Sequence, residues 1–153
     1  MGVETDVVPV DAAAVARVLA EERLEHRVEG EVVRTGFANA AIAFAIDQDY
    51  LVCEALWRGV IPAADVGQVL YACNEYNQSA FAPTLKFFDH ADQQPASTLG
   101  ISASRVLDVT CGASVNQLGA FVVSTLDAIL SAFDYLAATF PAAVTWQEPH
   151  DEH

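Results

Sequence analysis

Residues 35–57 read TGFANAAIAFAIDQDYLVCEALW, and this stretch contains the pattern that decides the fold. Bulky residues occupy alternate positions on both sides of a polar triplet: Ile42, Phe44, Ile46, Leu51, Cys53 and Trp57. Alternation with a period of two is typical of β-strands, and a short polar connection favours antiparallel neighbours. The stretch therefore predicts two strands joined at residues 47–49, and the alternation over residues 33–37 predicts a third strand before them.

Segments with helical spacing of their apolar residues lie before and after this meander of strands. Asp11 and Ser114 are suited to cap the helices that follow them, and Pro141 ends the last helix. Pro62 suits the first turn of a middle helix, which we expect to run to about residue 78. Residues 84–88 predict a further strand, and residues 98–111 predict one long strand or two short ones. The order α-β-β-β-α-β-β-α predicts an α+β fold with three helices and an antiparallel five-stranded sheet.

The length of 153 residues and a hydrophobic content of 53% predict a single domain over residues 1–153. Residues 1–10 and 148–153 are expected to be flexible. The net charge of −14 and the scatter of only seven basic residues along the chain argue against binding to nucleic acid or to an anionic membrane. The N-terminal residues do not read as a signal peptide and no run reads as a membrane helix, so we expect a cytoplasmic protein.

The predicted strands carry a second apolar face, whereas an antiparallel sheet with one side in water usually has a polar one. The members of this second face are Ala41, Ala43, Ala45, Val52 and Leu56. An apolar face needs a cover, either from the chain's own helices, which we favour, or from a partner protein. If the face is open in the monomer, we expect a homodimer in size-exclusion chromatography.

The sequence shows no pattern for catalysis, cofactor binding or metal binding. His26 and His90 lie at the ends of predicted elements, and no serine stands in a GxSxG motif. Residues 150–153 (HDEH) are rich in metal ligands, but a chain end lacks the second shell that fixes a metal site. We therefore expect no enzyme, no cofactor and no bound metal. The cysteines lack CxxC spacing and are all expected to be small buried residues: Cys53, Cys73 and Cys111.

One corner of the predicted fold has a more distinctive composition, where the meander leads into the middle helix. The side chains expected there are Trp57, Arg58, Asn74, Glu75 and Tyr76. An arginine at such a corner offers a bidentate donor. We favour a structural ion pair of Arg58 with Glu75 or Asp65, and the alternative is a ligand pocket.

Five short segments carry a resemblance to a known family: TGFAN (35–39), WRGVIP (57–62), CNEYN (73–77), PTL (83–85) and NQLG (116–119). In order and spacing they resemble the YbjN family, in the form found in high-GC Gram-positive bacteria. The resemblance extends from about residue 12 to residue 141. Members of this family are described as candidate regulators of bacterial sensory transduction.

The resemblance implies a fold similar to that of type III secretion chaperones, which are small, acidic, cytoplasmic and usually dimeric. It brings no catalytic residues with it. We therefore expect a non-enzymatic, chaperone-like domain that binds a protein partner as a sensory transduction or stress regulator. The alternative is a small-ligand sensor, or an unrecognised enzyme, that uses the corner of Trp57, Arg58, Asn74 and Glu75. The sequence identifies neither the partner nor the pathway.

Overall fold

The computed structural model describes residues 6–80, 82–89 and 98–146. The α-helices in this part of the chain are α1 Ala12–Glu21, α2 Val66–Ser79 and α3 Val115–Thr139. The β-strands are β1 His26–Glu29, β2 Val32–Phe37, β3 Ala40–Asp47, β4 Tyr50–Trp57, β5 Ile61–Pro62, β6 Thr84–Asp89 and β7 Thr98–Asp108. The α+β class and the three helices are confirmed, and the region after residue 98 is one long strand.

The prediction of five strands is wrong, because the described sheet has seven. The two additional strands are β1 and β5. All four residues of β1 are exposed, so its sequence lacks the apolar alternation that marks a half-buried strand. The strand β5 has two residues and gives no periodic signal.

The sheet is antiparallel throughout, with the strands in the order β1-β2-β3-β4-β7. Ser104 of β7 pairs with Glu54 of β4 and with Thr84 of β6, so β6 lies on the opposite edge of β7 from β4. Leu99 of β7 pairs with β6 and with Ile61 of β5. The strand β5 therefore continues the line of β4 along the same edge of β7.

Two tight turns fix the register of the meander. Gly30 between β1 and β2 has a φ of 63°, and Gln48 between β3 and β4 has a φ of 55°. Both values lie in the left-handed region that two-residue hairpin turns require. The turn predicted at residues 47–49 is confirmed.

The predicted helix caps are also present. The Asp11 carboxylate accepts a hydrogen bond of 2.9 Å from the backbone N–H of Ala14. Ser114 and Gln117 form a reciprocal capping box, in which each side chain accepts from the other residue's backbone N–H, at 3.0 and 2.9 Å. These bonds satisfy N–H groups that have no partner inside the helix.

The core lies between α1, α3 and one face of the sheet, which we call the inner face. Val33, Phe44 and Cys53 are direct neighbours across three strands and are almost completely buried. The helices contribute fully buried residues such as Leu19 and Phe133. Along β3 and β4, successive side chains thus alternate between the core and the other side of the sheet.

The helix α3 is long and apolar enough by composition to cross a membrane. In this fold, however, its apolar residues are used in the core. Ile129, Phe133 and Leu136 have no exposed surface, and α3 packs on α1, β4 and β7. We therefore interpret α3 as the central helix of the core.

Candidate functional site

The second face of the sheet, which we call the outer face, carries a cluster of apolar side chains. We call this cluster the outer patch, and its members are Val32, Ala41, Ala43, Ala45, Val52, Leu56 and Val106. Four of them form one row of direct neighbours across four strands: Val32, Ala45, Val52 and Val106. Cross-strand neighbours on one face lie close enough to act as a single surface.

The outer patch is open. Leu56 is 46% exposed and Val106 is 51% exposed, and the other members are partly buried. The prediction that the chain's own helices cover this face is not met by the described helices, which pack on the inner face. The predicted members on the strands, from Ala41 to Leu56, do share this one surface. It is smooth, because the alanine side chains at its centre are short.

Charged residues surround the outer patch in an unusual balance. The basic residues of the outer face are Arg27, Arg34, Arg58 and Lys86, and the acidic residues are Glu29, Asp47, Glu54 and Asp108, all of them exposed. Their formal charges cancel, so the entire net charge of −14 belongs to the rest of the chain. The outer face is thus neutral in a strongly acidic protein.

The corner predicted to hold a ligand or an ion pair is built differently. Trp57 is 3% exposed and packs edge-on against Trp146, with ring centroids 5.9 Å apart. Arg58 is the first residue after the strand, and its guanidinium bonds the carbonyls of Phe37 and Ala40, whereas the Trp57 ring lies in the core. Within the described residues, Arg58 forms no ion pair with Glu75 or Asp65, and the favoured structural ion pair is therefore wrong.

Arg58 instead clamps the turn between β2 and β3. Its Nε donates to the carbonyl of Phe37 at 3.2 Å, and its Nη2 donates to the carbonyl of Ala40 at 3.3 Å. Its backbone N–H donates to the carbonyl of Asn39 at 3.0 Å. The segments TGFAN and WRGVIP, which carried the family resemblance, therefore meet in one structural element.

The α2 residues of the predicted corner have separate surroundings. Tyr76 packs on Tyr135 of α3 with ring centroids 5.3 Å apart, and burial raises the pKa of its phenol. Asn74 and Glu75 are exposed. The neighbouring Asn77 bonds both backbone groups of residue 85 and so ties α2 to β6. The CNEYN segment thus connects helix to sheet.

The cysteines fall into two environments. Cys53 is fully buried, and desolvation raises the pKa of its thiol to about 12. Cys73 is also buried, with a raised pKa for the same reason. The prediction of burial is wrong for Cys111, which is exposed just after β7, beside the positive-φ Gly112.

Metal ligands do not cluster in the part of the chain that the structure describes, where no three His, Cys, Asp or Glu side chains could hold one ion. The ligand-rich residues 150–153 and the predicted strand-end residue His90 lie outside the described residues.

Sequence reasoning missed a group of arginines at the corner of the outer face. A groove of about 670 Å³ is lined by Arg27, Arg34 and Arg58, together with His26 and Glu25. These residues are spread along the chain and formed no run. The register of β1 on β2, which places Arg27 directly opposite Arg34, brings the first two together. The sequence could have indicated this group only if β1 had been predicted as a strand paired with β2.

These features define a class of protein: an α+β domain with its helices on one face of an antiparallel sheet and an open, charge-balanced apolar face on the other. The fold of this domain is shared by a particular solved structure, that of YbjN from E. coli, described there as a candidate transcription regulator. It matches with a TM-score of 0.72 over 87% of this chain and 96% of that chain, at 12% sequence identity.

The resemblance predicted from the short segments is thus confirmed at the level of the fold, which is YbjN-like. At this low identity the likeness shows the fold alone. No protein-family model matches the sequence, and no curated protein matches it.

Proposed function

We propose that this chain is a non-enzymatic regulatory domain that acts through protein–protein contact at the outer patch, with a second copy of the chain as the occupant. The observation that carries the proposal is the open apolar row of Val32, Ala45, Val52 and Val106. Burying such a row is favourable by about 25 cal/mol for each Å² of apolar surface removed from water.

The charge distribution supports a second copy as the partner. Two molecules that each carry a net charge of −14 repel one another over most of their surfaces. The outer face is neutral, so two copies can meet there without this repulsion. The outer face also has a basic corner around Arg34 and, at another position, an acidic end at Asp47 and Asp108. A two-fold rotation can place the basic corner of one copy against the acidic end of the other.

The size of the face predicts a weak dimer. The outer face spans five strands, which lie about 4.8 Å apart, and about five alternate positions along the strands, which lie at intervals of about 6.7 Å. The width across the strands multiplied by the length along them gives an area of roughly 500 Å² per copy. Two copies would bury about 1,000 Å², which is at the lower end for specific interfaces. We therefore expect dissociation in the micromolar range and exchange between monomer and dimer, as suits a regulator.

The similarity to a candidate transcription regulator supports the regulatory part of the proposal. We propose regulation through protein contact and not through direct DNA binding, because the acidic surface repels phosphates. The free cysteines in the described chain suit a reducing compartment, which supports a cytoplasmic location.

Sedimentation velocity over a range of concentrations tests the proposal. We expect wild-type protein to pass from monomer to dimer, and Leu56→Glu and Val106→Glu to remain monomeric because each places a charge in the outer patch. Leu70→Glu is a matched control, because Leu70 on α2 is 49% exposed and Leu56 is 46% exposed. Circular dichroism verifies that each variant is folded. A wild-type protein that stays monomeric at all concentrations, or an equal effect of the Leu70 control, would overturn the proposal.

A further inference from the structure

The arginine groove at the corner of the outer face has the composition of an anion site. It collects Arg27, Arg34 and Arg58, three of the seven basic residues in a chain of net charge −14. The volume of about 670 Å³ falls in the usual range for sites that hold small molecules. Glu25 also lines the groove and Glu29 bonds two of the arginines, so the three cations outnumber the neighbouring carboxylates although acidic residues predominate in the chain as a whole.

Arg58 is held in position before any ligand arrives. Two backbone carbonyls, of Phe37 and Ala40, accept from its Nε and Nη2 and orient the guanidinium plane. The Nη1 group has no hydrogen-bond partner within the described residues. Gly36 lies beneath, and a Cβ at that position would stand 3.5 Å from Arg58 Nη2 and 3.2 Å from the carbonyl of Ala40. The glycine therefore leaves the floor of the groove open.

Arg27 and Arg34 supply the second half of the site. They are direct cross-strand neighbours, and both donate from Nε to the carboxylate of Glu29, with a distance of 3.0 Å for Arg34. These bonds hold the pKa of Glu29 below its usual value, Arg34 having the larger effect. One carboxylate thus serves two guanidinium groups. Within the described residues, the Nη atoms of these two arginines make no hydrogen bond and remain available as donors.

We propose that this groove binds a small organic molecule through a phosphate group. Three guanidinium groups around one concave space offer more paired donors than the two oxygens of a carboxylate can accept, whereas a phosphate presents three terminal oxygens. The groove is larger than one phosphate, and the Ala41 side chain on the same face adds apolar surface for the organic part. The site goes beyond the self-association proposed above and does not depend on it.

Titration with defined probes, followed by NMR of the arginine Nε–H groups, tests the site. The probes are inorganic pyrophosphate, inorganic phosphate and citrate, each against sodium chloride of equal ionic strength. We expect pyrophosphate to shift the signals of Arg27, Arg34 and Arg58 in a saturable way, while those of Arg17 and Arg23 stay in place.

Two variants separate a specific site from general charge attraction. Arg34→Gln should weaken pyrophosphate binding at least about tenfold, which corresponds to 1.4 kcal/mol. Arg17→Gln removes the same charge from an exposed position on α1 and should weaken it less than twofold. Arg58→Lys keeps the charge but loses the guanidinium fork, and it should also weaken binding.

Three outcomes would overturn the inference: no saturable shift, an equal loss in the Arg34 and Arg17 variants, or citrate binding as tight as pyrophosphate. The last outcome would reassign the groove to carboxylates. The Val106→Glu variant, whose substitution on β7 lies outside the groove lining, is titrated in parallel to separate anion binding from self-association.

Discussion

Gly59 lies under the ring of Trp57, and this contact makes Gly59→Ala a sharp test of the packing at the end of the meander. A Cβ on residue 59 would stand 2.4 Å from Cη2 and Cζ3 of Trp57 and 2.6 Å from Cζ2. The indole has little room to yield, because Trp57 is 3% exposed and its ring meets that of Trp146 at an interplanar angle of 83°. Overpacking of this kind costs about 1–3 kcal/mol.

We therefore expect Gly59→Ala to lower the melting temperature by roughly 2–12 °C, since 1 kcal/mol corresponds to about 2–4 °C for a chain of this size. Thermal unfolding followed by tryptophan fluorescence is well suited, because the two tryptophans of the chain are the residues in contact. The matched control is Gly119→Ala in α3, where a Cβ meets nothing within 4 Å. That change should stabilise by about 0.5–1 kcal/mol. The reasoning is refuted if Gly59→Ala stays within about 0.5 kcal/mol of wild type, or if the control loses as much stability.

Three further perturbations test other parts of the fold. Asn77→Ala removes both hydrogen bonds to the backbone of Leu85, of 2.9 and 2.8 Å. We expect it to lower the free energy of unfolding, measured in urea, by about 1–3 kcal/mol. A change below about 0.5 kcal/mol would show that packing alone holds α2 to β6. Ser114→Ala destroys the capping box of α3 and should lower the free energy of unfolding by about 1 kcal/mol. Ser131→Ala, on the exposed side of the same helix, should leave the free energy of unfolding unchanged. Equal effects of the two changes would contradict the capping role of Ser114. The raised pKa of Cys53 means that between pH 9 and about 12 the unfolded chain loses a thiol proton that the folded chain keeps, so stability should fall with rising pH in this window. The decline should be less steep in Cys53→Ala, and parallel pH profiles for the two proteins would argue against a protonated buried thiol.

The sequence predicted most of the fold because most elements have an apolar face. The alternation in β3 and β4, the caps at Asp11 and Ser114, and the turn at residues 47–49 all follow from local rules that the tertiary structure did not override. The strand β1 escaped prediction because it is exposed on both faces and is held by its hairpin turn and by hydrogen bonds to β2, which leave no trace in hydropathy.

The candidate sites were only partly predictable. The outer patch followed from the second apolar face of β3 and β4, but its extension to Val106 depends on the register of β4 on β7. The residues of the predicted corner are not all brought together, because Trp57 packs in the core against Trp146 whereas the guanidinium of Arg58 bonds the turn between β2 and β3. The arginine groove depends on the pairing of Arg27 with Arg34 and on a side chain from the end of β4, and neither relation can be read from linear spacing.

The cancellation of charge on the outer face also has a kinetic consequence. In the proposed self-association, two copies approach in random orientations, and most encounters place acidic surfaces together and end in separation. Encounters between two outer faces are not opposed, so the negative surface elsewhere restricts productive collisions to one geometry. Added salt screens that repulsion and admits the other orientations, since the Debye length falls from about 10 Å at 0.1 M to about 3 Å at 1 M. The acidity of this protein would then matter less for what it attracts than for the wrong contacts that it prevents.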